Sequence, residues 1–467
     1  MRDAMWGRRK FIGRGVAALP LLGVADALLA EGVGAAKRVR AAAASVKSGN
    51  VRLNVREFGA VGDGVAKDTL AVQQALDRCS VLGGGEVLVP AGEYLCGALV
   101  LRSNTLLRLE AGASLLGSAE LADYPVTQVR WEGRWIKGYI GFISATDAEN
   151  LAIVGAGKIV GNIAIKGRVD RATGVRHPAL LEFTSCRHVR VEGCVTEQND
   201  MWSIHPTYCE DITFKNVTVH GGADGIDVDS CKRVVIDGCD FATADDCISL
   251  KSGRGMEGYT LLRTTEDVRI SNCTFADLHW ACIGIGSETS GGIRNVRVEH
   301  CKCTSARTFA IYIKSRPGRG AFIEDIYMND LEVSGAKAGF LRFNILDSGK
   351  QDEFPVPGLE GIPTIKNFHF SNIRVTDVPV LVDGVGIHPD KPLEGFSLTN
   401  VSGTCGKGIS LANIKHAEIK NIAVSGFAGP LLSTRNVTGT GLAGAVALDA
   451  GKVVEAVAAP ASPYLLR

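Results

Sequence analysis

The chain has 467 residues, with 51 Lys and Arg against 50 Asp and Glu and a formal net charge of +1. This balance gives no reason to expect nucleic acid or an anionic membrane as a partner, because both are bound through clustered positive charge. Hydrophobic residues make up 46% of the chain and aromatic residues 6%, and there are 56 glycines. This composition favours many short strands joined by turns.

The first part of the chain, residues 1–45, differs from the rest. Two arginines and a lysine at positions 8–10 precede an apolar run at residues 16–30, which is the pattern of a twin-arginine export signal followed by a linker. The uninterrupted apolar stretch is shorter than the ~20 residues that a membrane-spanning helix needs. We therefore predict a periplasmic or secreted protein without stable membrane insertion, whose single functional domain covers residues 46–467.

A helix is predicted near the start of that domain. Val72, Ala75, Leu76 and Cys79 are spaced so that they lie on one helical face. Asp68 precedes them and is a good N-cap residue. We interpret this segment as an N-terminal capping helix, which covers strand edges that the first coil would otherwise leave unpaired.

A short unit of alternating apolar residues followed by Gly or Asn recurs along the middle of the chain. It begins at positions 189, 212, 234, 268, 296, 326, 368 and, more weakly, 396. The first spacings of about 22 residues suit a leucine-rich repeat or a parallel β-helix. The leucine pattern is missing and β-branched residues dominate, so the sequence predicts an all-β chain folded as a parallel β-helix.

The 13 cysteines support a stacked repeat. Two positions of the repeating unit carry cysteine more than once. The first holds Cys194, Cys239, Cys273 and Cys301, and the second holds Cys186, Cys209 and Cys231. Stacked coils place equivalent positions about 4.8 Å apart, so we predict ladders of free thiols buried in the core. No Cys-x-x-Cys pair occurs, and we predict neither a metal site nor a cofactor.

Three carboxylates come from two consecutive repeats. Asp224 lies in one repeat, and Asp245 and Asp246 follow it by about one repeat length. One step along the stack should therefore bring all three onto the same surface. Crowded carboxylates repel one another, which raises at least one pKa and separates an acid from a base. Asp227 and Asp229 alternate with apolar residues, so we predict that they face outward and are mainly structural.

Several segments resemble the polygalacturonase family of glycoside hydrolases (family 28), which degrades pectin. They are residues 58–64, 223–227, 245–253, 282–292 and 313–315. The resemblance implies a right-handed parallel β-helix that hydrolyses glycosidic bonds with inversion. Carried onto this chain, it implies that Asp245 is the general acid and that Asp224 and Asp246 hold and deprotonate the attacking water.

The same resemblance implies three substrate-binding residues. His279 stands where the family has a Gly-His-Gly segment. Lys314 matches the lysine of the family's Arg-Ile-Lys segment and would bind the carboxylate of an acidic sugar, while Tyr312 stands in place of the arginine. The expected partner is pectic polysaccharide or oligosaccharide, and we expect a monomer.

Three alternatives remain at this point. Gly222 and Tyr312 replace a family asparagine and arginine, and tyrosine cannot make the bidentate carboxylate contact of arginine; this keeps a rhamnogalacturonan-type hydrolase open. A calcium-dependent pectate lyase could use the same carboxylates as hard oxygen ligands. A non-catalytic glycan-binding β-helix is the third, because a fold does not by itself define a function.

Overall fold

The structure, a computed structural model, describes residues 51–277 and 280–458 of the chain. The predicted export signal and linker at residues 1–45 and the predicted sugar-binding residue His279 lie outside the described residues. Within the described part, no helix is long and apolar enough to cross a membrane.

Short strands dominate the first half of the described chain. The elements are β1 (Val51–Asn54), a 3-10 turn (Val55–Phe58), β2 (Asp63–Lys67), α1 (Thr69–Val81), β3 (Gly85–Val89), β4 (Gly92–Cys96), β5 (Leu99–Val100), β6 (Thr105–Leu109), β7 (Ala113–Gly117), a 3-10 turn (Leu121–Asp123), β8 (Val126–Trp131), β9 (Arg134–Tyr139), β10 (Ile143–Thr146), β11 (Glu149–Val154), β12 (Lys158–Val160), β13 (Leu181–Thr184), β14 (Arg187–Glu192), β15 (Val195–Glu197), β16 (Ile204–Thr207), β17 (Glu210–Lys215), β18 (Thr218–Gly221), β19 (Ile226–Asp229), β20 (Lys232–Asp237), β21 (Asp240–Thr243) and β22 (Ile248–Lys251).

Longer strands appear in the second half, after a second helix. The elements are α2 (Gly255–Leu261), β23 (Thr265–Ser271), β24 (Thr274–Phe275), β25 (Ile283–Ile285), β26 (Ile293–Cys303), β27 (Phe309–Lys314), β28 (Phe322–Ser334), β29 (Gly339–Asn344), a 3-10 turn (Leu359–Gly361), β30 (Thr364–Gly386), β31 (Leu393–Ser425), β32 (Leu432–Thr440) and β33 (Val446–Ala447).

The strands form three parallel ladders, in which each strand pairs with the equivalent strand of the next coil. The first ladder, which we call the floor ladder, runs through β10, β13, β16, β19, β22, β25, β27 and β29. The second includes β11, β14, β17, β20 and β23, and the third includes β12, β15, β18, β21 and β24. The predicted right-handed parallel β-helix is confirmed. The strands β8 and β9 form a separate antiparallel hairpin.

Aliphatic side chains stacked in register fill the interior of the floor ladder. Ile226 pairs with Ile248, which pairs with Ile283, and Val228 pairs with Leu250. All five are fully buried, and burial of each such side chain stabilises the fold by about 1.5–3 kcal/mol. Because side chains alternate along a strand, this inward set fixes the intervening residues on the outer face of the ladder.

The predicted cysteine ladders are confirmed. All 13 cysteines are free and buried. The backbone N–H of Cys186 lies 3.3 Å from the Sγ of Cys209, and the N–H of Cys209 lies 3.3 Å from the Sγ of Cys231. Burial raises the pKa of the Cys209 thiol well above its ordinary value, so these sulfurs pack as neutral core groups.

The predicted N-terminal helix forms as α1, and its predicted apolar face is buried. The expectation that the Asp68 side chain caps this helix is wrong. Its carboxylate accepts hydrogen bonds from the N–H groups of Val61, at 2.6 Å, and Gly62, at 2.9 Å, because the preceding turn folds over it. The role of α1 as a cover for the first coil stays a prediction.

Candidate active site

The outer face of the floor ladder brings the three predicted catalytic carboxylates together. Asp224 lies two residues before the start of β19, and Asp245 and Asp246 lie three and two residues before the start of β22. The Oγ of Ser249 lies 3.3 Å from Asp224 Oδ2 and 3.2 Å from Asp246 Oδ2. The Nη2 of Arg168 contacts Asp245 Oδ2 and lies 3.8 Å from Asp224 Oδ1. One hydroxyl and one guanidinium therefore connect all three carboxylates.

The three carboxylates differ in their access to solvent. Asp224 is 5% exposed and Asp246 is 2% exposed, whereas the side chain of Asp245 is 33% exposed. A substrate lying on the floor ladder would therefore contact Asp245 directly, whereas Asp224 and Asp246 lie deeper in the site.

Burial and neighbouring charges separate the pKa values of the two buried carboxyls. Burial raises the pKa of Asp246 and nearby carboxylates add to this effect, although the Lys314 ammonium opposes it. Burial also acts to raise the pKa of Asp224, but the cations of Lys251 and Arg168 outweigh it and hold that pKa below its ordinary value. As the pH falls, Asp246 takes up a proton before Asp224 does.

Lys251 lies between Asp224 and Asp227. Its Nζ is 3.0 Å from Asp224 Oδ2, contacts Asp227 Oδ1, and lies 4.1 Å from the ring centroid of Trp202. Asp227 points away from the core, as predicted, yet it is fully covered by other side chains. Burial, and then the charge of Asp224, raise the pKa of Asp227 well above its ordinary value. Asp227 is therefore part of the electrostatics of the site and not a surface residue.

Two predicted substrate-binding residues, Tyr312 and Lys314, lie on β27, two floor strands beyond the Asp245 coil. The Lys314 Nζ contacts Asp246 Oδ2 and lies 5.6 Å from the ring centroid of Tyr312. The guanidinium carbon of Arg342, on β29, lies 5.6 Å from the same ring. Two cations therefore stand beside Tyr312, in the region where the expected arginine is missing.

Arg168 was not identified from the sequence. It lies in residues 161–180, an irregular segment between β12 and β13 that we call the 161–180 loop. The loop returns to the site through a second contact, in which the N–H of Gly167 donates to Asp200 Oδ2 at 2.9 Å. The available signal was the length of this insertion, because a long segment between two short strands has to fold back onto a neighbouring coil.

Among residues 51–277 and 280–458, no group of three or more His, Cys, Asp or Glu side chains is arranged to hold a metal ion. The fold and the site therefore define a parallel β-helix protein with a centre of crowded carboxylates whose pKa values differ. This chain belongs to the glycosyl hydrolases family 28, whose family model matches residues 79–421, and it is a glycoside hydrolase.

Curated relatives agree with this assignment, and a solved structure shares the fold. The chain is 27% identical over 362 residues to a probable polygalacturonase of Vitis vinifera, which covers 74% of this chain and 73% of the relative. It is 26% identical over 330 residues to an exo-poly-alpha-D-galacturonosidase of Dickeya chrysanthemi, which covers 57% and 52%. The fold is shared with a hyperthermoactive exopolygalacturonase of Thermotoga maritima, at a TM-score of 0.72 and 24% identity over 81% of this chain and 93% of that one.

Proposed function

We propose that this protein is an exported, polygalacturonase-like hydrolase that cleaves glycosidic bonds of pectic polysaccharide or oligosaccharide with inversion. The observation that carries the proposal is the convergence of Asp224, Asp245 and Asp246 around Ser249 and Arg168. Hydrolysis with inversion needs a protonated acid on one side of the bond and a base with its water on the other. Asp245 is more exposed than Asp224 and Asp246, which suits these separate roles.

Each carboxylate has one role in the proposed reaction. Asp245, the most exposed, gives its proton to the leaving glycosidic oxygen. Asp224 and Asp246 hold a water and take its proton as the water attacks the anomeric carbon from the opposite face. The bond from the anomeric carbon to the leaving oxygen breaks as the bond to the water oxygen forms. In inverting enzymes the acid and base stand about 6.5–9.5 Å apart, which leaves room for the water.

The cations of the site favour an acidic sugar. Arg168 contacts Asp245 directly, and a sugar carboxylate would compete with Asp245 for this guanidinium. Arg342 and Lys314 offer further cations next to Tyr312. These contacts favour polygalacturonate over the rhamnogalacturonan alternative, because they supply the guanidinium groups that Tyr312 lacks.

The rest of the proposal concerns the whole chain. Residues 1–45 direct twin-arginine export, and residues 46–467 act as one monomeric hydrolase domain that needs no cofactor. We infer from the family resemblance that His279, which lies outside the described residues, binds the sugar.

The test is the release of reducing ends from polygalacturonate by the wild-type protein and by Asp245→Asn. General acid catalysis contributes about 10²–10⁴-fold, so we expect the variant to lose at least about a hundredfold in kcat while its melting temperature stays close to that of the wild type. Asp240→Asn, which changes an exposed carboxylate on β21, is the matched control. An unsaturated, ultraviolet-absorbing product would indicate a lyase, and binding without turnover would indicate a glycan-binding module. Normal activity of Asp245→Asn would refute the acid assignment.

A further inference from the structure

The floor ladder continues on both sides of the catalytic carboxylates. We call β13 and β16, on the lower-numbered coils, the early side, and β25, β27 and β29 the late side. On the early side, protein side chains cover the floor. Glu182 Oε1 accepts a hydrogen bond from Arg176 Nη2 at 2.7 Å, and Arg176 is fully buried. His205, next to Glu182 in register, is also fully buried and packs edge-on against Trp202 at 4.8 Å between ring centroids.

The 161–180 loop makes this cover, and the β8–β9 hairpin is joined to it. The N–H of Tyr139, at the end of the β8–β9 hairpin, donates to the carbonyl of Arg176 in the 161–180 loop at 2.9 Å. From the same hairpin, Arg130 places its Nε 3.1 Å from Asp229 Oδ2 and its Nη1 2.6 Å from Glu257 Oε1 of α2. Arg130 is 2% exposed. The 161–180 loop therefore closes the early side, while the hairpin is fixed over β19 and α2.

On the late side, a column of backbone hydrogen bonds connects successive coils, beginning at Asp245, the proposed general acid. The N–H of Trp280 donates to the carbonyl of Asp245 at 3.1 Å, the N–H of Thr308 to that of Trp280 at 3.1 Å, and the N–H of Ala338 to that of Thr308 at 3.2 Å. Each step is one coil, or about 4.8 Å along the stack. Equivalent edge positions of three successive coils therefore continue in a line from Asp245.

This line is open to solvent and basic. Trp280 is 45% exposed, and Arg307 and Lys337, the residues just before the next two members of the column, are both exposed. Arg307 and Lys337 occupy equivalent positions on neighbouring coils, as the adjacent bridge between Ala306 and Ala336 shows. Two like charges one coil apart repel, and an anion bound between them would relieve this repulsion.

We name this surface the late track. It combines the exposed edge positions just described with the neighbouring outer face of β27 and β29. Its members are Trp280, Arg307, Lys337, Lys314 and Arg342. The side chain of Arg342 is 38% exposed and that of Lys314 is 14% exposed. The track offers an aromatic face and four cations next to the catalytic carboxylates; Lys314 is paired with Asp246 and Arg342 with Asp383. A sugar polymer that carries a carboxylate on successive units has the complementary chemistry.

We propose that the enzyme attacks the end of an acidic polysaccharide chain and not its interior. The terminal sugar lies against the closed early side, next to Asp224 and Arg168, and the following sugars lie along the late track. Each turnover breaks the first glycosidic bond, adds one water across it and releases one sugar. This inference rests on the proposed function and defines which part of the substrate the site accepts.

The first test is the length of the products. The purified protein is incubated with galacturonate tetramer, hexamer and polymer, and products are separated by chromatography from the earliest time points. We expect a single sugar together with a chain shorter by one unit, and a slow loss of polymer viscosity. Early dimers and trimers with a rapid loss of viscosity would overturn chain-end attack while leaving the proposed hydrolysis intact. Failure to hydrolyse any of these substrates would overturn the proposed function and this inference together.

The second test removes charge from the late track. Arg307→Gln combined with Lys337→Gln should lower kcat/KM for hexamer by about 3- to 10-fold, the effect of losing two exposed ion pairs, and should lower it less for dimer. The matched control combines Arg269→Gln with Lys302→Gln, two exposed cations on β23 and β26, outside the floor ladder, and should leave both values unchanged. Equal loss for hexamer and dimer, or no loss for either, would contradict the track.

Discussion

The early and late sides of the floor ladder share one register, yet their charged side chains differ in burial and pairing. On the early side, Arg176 is buried and paired with Glu182. On the late side, Arg307 is exposed. The difference comes from an insertion and not from the repeat, since the 161–180 loop places Arg176 over Glu182 on the early side. The repeat therefore builds the floor, and the insertion decides where a polymer can lie.

The largest effect should come from breaking the early-side ion pair. Arg176→Met would leave the buried Glu182 carboxylate without its arginine partner, which costs about 3–5 kcal/mol of the free energy of unfolding. Burial acts to raise the pKa of Glu182, but Arg176 and His205 hold that pKa below its ordinary value, so the carboxylate depends on this partner. Urea unfolding measures the change.

Two controls sharpen this stability prediction. Adding Glu182→Leu to Arg176→Met should recover most of the loss, because no buried charge then remains unpaired. On the late side, Arg307→Gln should stay within about 0.5 kcal/mol of the wild type. If Arg307→Gln lowered the free energy of unfolding as much as Arg176→Met does, the proposed difference between a buried, paired early side and an exposed late side would be wrong.

An intermediate effect is expected for Arg168→Gln, at the boundary between the early side and the carboxylates. A hydrogen bond to a charged group is worth about 1.5–3 kcal/mol, so kcat/KM for galacturonate oligomers should fall by roughly 10- to 100-fold. Methyl-esterified oligomers, which lack the carboxylate, should lose much less. Equal losses of kcat/KM on the two substrates would show that Arg168 does not bind the sugar carboxylate.

A smaller effect, a shift in the pH profile, is expected from Lys314→Gln. The proposed base role of Asp246 requires its ionised form, and the Lys314 ammonium opposes the rise in its pKa that burial causes. Without this cation the pKa of Asp246 rises further. The acid limb of kcat/KM against pH should therefore move to higher pH, whereas Lys302→Gln should leave it in place. A shift to lower pH would exclude Asp246 as the group that titrates there.

The fold and the catalytic carboxylates could be predicted because the repeat is a local property of the chain. The starts of its first three units at Val189, Ile212 and Val234 pair directly in register in the structure, so equal positions in the sequence become neighbours in space. Arg168 and Arg130 lie in insertions that have no period, and no spacing rule places their contacts. The burial of Asp227 depends on side chains from other strands, which the alternation within β19 does not reveal.

The most direct test of the central claim, hydrolysis by three carboxylates from two adjacent coils, is the anomeric configuration of the first product, followed by NMR during turnover of a galacturonate oligomer. A base that activates water predicts a product whose configuration is opposite to that of the bond cleaved. A product that keeps the configuration would contradict the account, because it requires a carboxylate that acts as a nucleophile about 5–5.5 Å from the acid.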